Sequence, residues 1–153
     1  MTDNDITLRV LEIIRGTTVD GPGFRTAIYL AGCDHHCKGC QNPQSHDPGG
    51  GVEMRLSEIM EVIREEDFNV TLSGGDPLYF PEKTIILAQE IKKYGYNIWL
   101  YTGYTYEEIE ENPRLKPILQ FVDTIVDGPF VENLRDLDLR FRGSSNQRII
   151  NLS

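Results

Sequence analysis

Apolar positions alternate loosely along residues 6–14, ITLRVLEII, and predict a first strand. Gly21, Pro22 and Gly23 in VDGPGF then mark a turn. RTAIYLAG, residues 25–32, reads as a short buried strand, and residues 44–53, with Pro48 and Gly49 to Gly51, as a loop. Leu56, Ile59, Met60 and Ile63 recur at i, i+3, i+4, i+7 and predict an amphipathic helix over 57–66. NVTLSGG (69–75) predicts a strand ending in two glycines. Pro81 opens the next helix, with Leu87, Ala88, Ile91 and Tyr94 on one face. NIWLYTG (97–103) is a further strand, after which Thr105 and Glu108 suit a capping box for a short helix. Leu115, Ile118, Leu119 and Val122 mark another helix, TIVDG (124–128) another strand, and LRFRGSSNQRIINL an irregular loop with a last strand.

Short apolar strands alternating with amphipathic helices imply an α/β fold with a parallel sheet and right-handed crossovers. Four unusual loops then fall after four strands: the cysteines after 25–32, Gly74-Gly75-Asp76 after the next, Thr102-Gly103 after the third and Asp127-Gly128 after the fourth. Parallel α/β proteins build their sites at the carboxyl ends of strands, so these loops converge on one site. The strands are too few for a closed eight-stranded barrel, and an open partial (βα) barrel with outer helices is expected. A length of 153 residues fits a single domain over 1–153.

Composition narrows the function. With 24 acidic and 15 basic residues the formal charge is −9, which argues against nucleic acid as the main partner, since phosphate binding needs a basic footprint. The first 30 residues show no basic start followed by an apolar run, and no apolar stretch has the length of a membrane span, so no membrane partner and a cytoplasmic home are expected. In that compartment clustered thiols point to metal or redox chemistry before disulfides.

All three cysteines, Cys33, Cys37 and Cys40, lie within GCDHHCKGCQNP (32–43). Four thiolates would close a metal site. Three around one corner of a four-iron cube leave one iron open to a substrate or cofactor. Gly32 and Gly39 let the backbone turn tightly there. The competing reading is a zinc knuckle completed by His35, His36 or His46.

Here the sequence resembles a known family. Cys33-x3-Cys37-x2-Cys40 is the motif of radical S-adenosylmethionine (SAM) enzymes, and SGGDPL (73–78) matches their glycine-rich second motif. DGPGFR (20–25) resembles the lead-in of activases for glycyl-radical enzymes. WLYTGY (99–104), VDGPFV (126–131) and RGSSNQRI (142–149) resemble the small activating proteins of anaerobic (class III) ribonucleoside-triphosphate reductase.

The resemblance implies a partial barrel of the radical SAM type, a [4Fe-4S] cluster on Cys33, Cys37 and Cys40, and SAM on the open iron. An electron from a flavodoxin-like donor would cleave SAM to methionine and a 5′-deoxyadenosyl radical, which takes hydrogen from a glycine of the reductase large subunit. No catalytic side chain beyond the cluster is implied. Gly39 and Gln41, flanking Cys40 in the cofactor site, would lie near the adenine, and Gly74 and Gly75 near the methionine amino group. Asp76 suits either accepting from that ammonium or fixing the loop, and many relatives carry glutamate there. Thr102 and Asp127 suit either cofactor contact or helix capping. The 142–148 stretch suits a surface loop, a part of the site, or a docking element. Tyr101, Tyr104 and Tyr106 read as core or rim aromatics. Two other function classes stand beside this one: a radical SAM enzyme acting on a small molecule, such as a deazapurine-forming synthase, and a non-catalytic zinc-binding module. The short chain leaves little material to enclose a second small substrate.

Overall fold

A computed structural model describes residues 6–19, 21–32, 49–129, 131, 134–135, 140–142 and 144–152. The elements in chain order are β1 (Thr7–Thr17), β2 (Arg25–Leu30), β3 (Val52–Arg55), α1 (Leu56–Glu66), β4 (Asn69–Gly74), α2 (Pro81–Lys93), β5 (Ile98–Tyr101), α3 (Tyr106–Glu111), β6 (Thr124–Asp127) and β7 (Arg148–Asn151). Short 3-10 turns at Pro77–Tyr79 and Lys116–Gln120 complete the set.

The strands form one open sheet in the order β3-β1-β2-β4-β5-β6-β7. The expected parallel arrangement holds for the four central strands, β2, β4, β5 and β6. β1, β3 and β7 are antiparallel additions at the two sides. β1 runs longer than its apolar alternation suggested because it is paired on both sides, to β2 and to β3, with register shifts against β2.

One parity of each central strand points to the helices. Ile28, Leu30, Val70, Leu72, Ile98, Leu100 and Ile125 join Leu56, Ile59 and Ile63 of α1, Leu87 and Ile91 of α2 and Ile109 of α3 in a single buried cluster. The α1 stripe is the one its periodicity predicts, and α3 carries the expected capping box between Thr105 and Glu108. The opposite parity is far more polar. Arg25, Thr71, Ser73, Tyr29, Tyr101 and Thr124 line that face with Ala27, Trp99 and Val126. Arg25 spans it: Nε donates to Thr71 Oγ1 at 2.9 Å, and Nη2 donates to Val70 O at 2.8 Å and Asn97 Oδ1 at 2.8 Å. Burial pushes the Arg25 guanidinium down to about 10, and the side chain lies over the Trp99 ring.

Two expectations are corrected. The loop expected over 44–53 ends early, because Val52–Arg55 pairs with Thr7–Val10 as an edge strand. The helix expected around Leu115–Val122 is a 3-10 turn: Pro117 sits in its first turn, and the buried Leu115 and Ile118 are three residues apart, which one 3-10 turn satisfies.

Candidate functional site

The carboxyl ends of the four parallel strands are stitched together in order. After β2, Leu30 O accepts from Gly75 N at 2.9 Å and Gly32 O accepts from Asp76 N at 2.6 Å. After β5, Thr102 N donates to Val126 O at 3.1 Å, and after β6, Gly128 N donates to Tyr104 O at 3.0 Å. The expected convergence of these loops is therefore present for every part that is described. Cys33, Cys37, Gly39, Cys40 and Gln41 lie outside the described residues.

Asp76 is the hub of this end. It is 2% exposed. Its Oδ1 accepts from Leu78 N at 2.9 Å and Thr102 Oγ1 at 2.9 Å, and its Oδ2 accepts from Gly103 N at 2.9 Å. One carboxylate thus joins the loop after β4 to the loop after β5. The short aspartate side chain suits this work, since its acceptors stay close to its own backbone. Thr102 Oγ1 in turn accepts from Tyr104 N at 3.2 Å.

Gly74 is where the glycine pair is needed for packing. It has φ +118°, and a Cβ there would lie 2.3 Å from both Leu30 N and Leu30 O. β4 and β2 meet too closely for any side chain. Gly74→Ala is expected to cost about 3 kcal/mol or more in unfolding free energy, the scale of a strained backbone combined with a core clash. Urea denaturation of the metal-free protein measures it, and a cost below about 1 kcal/mol would show that the strands can separate without penalty.

Beyond β6, Asp127 is buried and accepts from Tyr106 N at 2.8 Å, so it caps α3. It also accepts from Arg148 Nε at 3.1 Å and Nη2 at 2.5 Å. These bonds, followed by those to Glu107, hold the Arg148 guanidinium above its ordinary pKa. The tail folds back on the same loop. Gln147 Nε2 donates to Gly128 O at 3.0 Å, Asn146 Nδ2 donates to Pro129 O at 2.8 Å, and Val131 N donates to the buried Ser144 Oγ at 3.2 Å. Its described residues are thus a brace on the end of β6. The sequence left this stretch open between a surface loop, a part of the site and a docking element, and its signal was the likeness of RGSSNQRI (142–149) to the activating proteins.

Three thiols in one short segment are the donor set that a [4Fe-4S] cluster with one open iron would take. They follow Gly32 in sequence, and the Gly32 carbonyl is held by the Asp76 amide, beside the glycine pair.

Comparison with known proteins decides the family. Residues 19–150 match the model of the 4Fe-4S single cluster domain. The chain is 33% identical over 141 residues to the anaerobic ribonucleoside-triphosphate reductase-activating protein of Vibrio cholerae, covering 86% of this chain and 90% of that one. The chain belongs to the family of these activating proteins. The Escherichia coli K12 member is 34% identical over 145 residues, covering 88% of this chain and 92% of its own, and the member from enterobacteria phage T4 is 35% identical over 139 residues, covering 86% of each. Among solved structures, QueE from Escherichia coli superposes with a TM-score of 0.54 at 14% identity, over 79% of this chain and 70% of that one, and so shares the fold. Membership supports an iron–sulfur cluster over the zinc knuckle that the cysteine spacing alone left open. No described helix is long and apolar enough to cross a membrane.

Proposed function

We propose that this protein activates anaerobic ribonucleoside-triphosphate reductase by installing a glycyl radical on its large subunit. Cys33, Cys37 and Cys40 hold a [4Fe-4S] cluster, and Gly39, Cys40, Gln41, Gly74, Gly75, Asp76 and Thr102 form the SAM site. When bound, the cluster and SAM would supply one-electron reductive cleavage of the SAM sulfonium, the chemistry by which hydrogen is taken from a glycine of the large subunit.

The observation that carries this reading is the stitched carboxyl end of the sheet, which the cysteine segment follows in sequence, in a chain of this family. The chain's own contribution is placement. Gly74 and Gly75 present backbone, not side chain, to the amino-acid end of SAM. Asp76 and Thr102 keep the β4 and β5 loops in register, so that the two loops meet one ligand together. The sheet face opposite the helices is buried at Arg25, Thr71, Trp99 and Thr124 and half-buried at Tyr29, Ser73 and Tyr101, near the carboxyl ends of their strands. The electron comes from a reduced flavodoxin-like donor, and the protein works in the cytoplasm, where thiols stay reduced.

The test is an anaerobic assay of 5′-deoxyadenosine with and without the reductase subunit, alongside paramagnetic resonance. Free protein is expected to cleave SAM slowly, and addition of the subunit to give a glycyl radical doublet. Hydrogen transfer demands van der Waals contact between the glycine and C5′, which the partner must help to build. Gln147→Ala, which cuts the brace from Gly128, is expected to lower radical yield more than iron content. Steady turnover of a small purine precursor with no protein radical would replace this reading by the small-molecule one.

A further inference from the structure

Arg9 is touched by both flanks of the cysteine segment. On the entry side, its carbonyl accepts from Ala31 N at 3.0 Å, one residue before Gly32. On the exit side, its guanidinium gathers three consecutive carbonyls: Nη2 donates to Gly49 O at 2.7 Å and Gly51 O at 2.9 Å, and Nε donates to Gly50 O at 3.2 Å. Gly51 then lies against β1 so closely that a Cβ would sit 2.3 Å from Val10 O.

A run of three glycines is the least ordered stretch a chain can place at the end of a loop. A planar fork of donors is the side chain best shaped to collect several carbonyls at once, and its charge strengthens each bond. Among the described residues, every side-chain hydrogen bond of Arg9 goes to these carbonyls and none to a carboxylate.

We propose that Arg9 is the positioning residue of the cluster segment, joining its entry at Ala31 to its exit at Gly49–Gly51 and so fixing the span over which Cys33, Cys37 and Cys40 must close. Holding both ends at one residue removes chain entropy that the thiolates would otherwise have to overcome when they assemble on iron. This inference rests on the reading of the three cysteines as cluster ligands.

The experiment follows iron release from the anaerobically reconstituted full chain into excess bathophenanthroline, with the resonance spectrum of the reduced cluster and the melting temperature of the metal-free chain measured beside it. Arg9→Ala is expected to release iron about tenfold faster than wild type, the scale set by losing charged hydrogen bonds, with broadened resonance features. Arg9→Lys, a point charge that cannot span three carbonyls, is expected to fall between them. Arg15→Ala is the control: Arg15 is on the same strand but pairs with Glu65 and Glu66 at the surface, and release at the wild-type rate is expected. Wild-type release from both Arg9 variants overturns the inference and leaves the cysteine reading intact. Equal acceleration in Arg15→Ala also overturns it, since the effect would belong to general destabilisation. If Arg9→Ala does not fold, Arg9→Lys decides by the same rate. A wild-type chain that takes up no four-iron cluster overturns the cysteine reading, and this inference with it.

Discussion

Alanine at any one of Cys33, Cys37 or Cys40 is expected to abolish 5′-deoxyadenosine formation, while the wild-type chain reconstitutes to a brown protein with about four irons, the cubane stoichiometry. The reason is arithmetic within the chain. There are three cysteines in all, so no spare thiol exists to take the place of a lost one. On the proposed reading the three thiolates would hold the cube and leave one iron for SAM, so the loss of any one thiol would leave the cube without a ligand it needs. His35, His36 and His46 are the nearest substitutes by sequence, and a histidine ligand would change the spectrum as well as the stability of the cluster. The measurement is iron and sulfide per chain, followed by product formation under a strong reductant. A single variant that keeps both iron and turnover would remove that cysteine from the ligand set. Zinc in place of iron in the wild-type protein would return the knuckle reading that the family assignment displaced.

Much of the frame was legible because its signals are local. The α1 stripe at 56, 59, 60 and 63, the Thr105–Glu108 capping box and the glycines after the strands each declare themselves within a few residues, and each stands as expected. The parallel core follows from the alternation of strand and helix. The parts that escaped depend on contacts distant in sequence. β3 was hidden because a glycine run precedes it and only its pairing with β1 makes it a strand. The turn at Lys116–Gln120 has a spacing that fits either helix type, and Pro117 alone hinted at the shorter one.

The site divided in the same way. Its residue types were readable, but their partners were not. Gln147 meets Gly128 across 19 residues, and Arg148 meets Asp127 across 21, once β7 lies beside β6. Arg9 offered nothing at all in the sequence, since one arginine in a loosely alternating strand looks like a solvent-facing position. Its meaning appears only when residues 40 to 42 positions away come to its guanidinium.

Asp76→Ala is expected to destabilise the metal-free protein by about 3–5 kcal/mol, the cost of removing one partner from a buried charged network. Three donors would lose their acceptor at once: Leu78 N, Thr102 Oγ1 and Gly103 N. Asp76, Leu78 and Thr102 are all buried, so these donors lie away from bulk solvent. Asp76→Asn separates charge from shape. It keeps one acceptor oxygen but turns an amide group toward a backbone N–H, so an intermediate loss is expected. Asp76→Glu tests the reach of the side chain. With one more methylene, the carboxylate can no longer meet Leu78 N and the β5 loop together. Asp76→Glu is therefore expected to lower stability while retaining measurable SAM affinity if the longer carboxylate instead turns toward the ligand ammonium. The discriminating data are urea midpoints of the metal-free chain and SAM titrations of the reconstituted chain, taken on all three variants. Should stability stay at the wild-type level in Asp76→Ala while SAM affinity vanishes, the carboxylate would be a ligand group and not a brace. Parallel losses in both would instead show that the cofactor is held by two loops that this one side chain keeps in register.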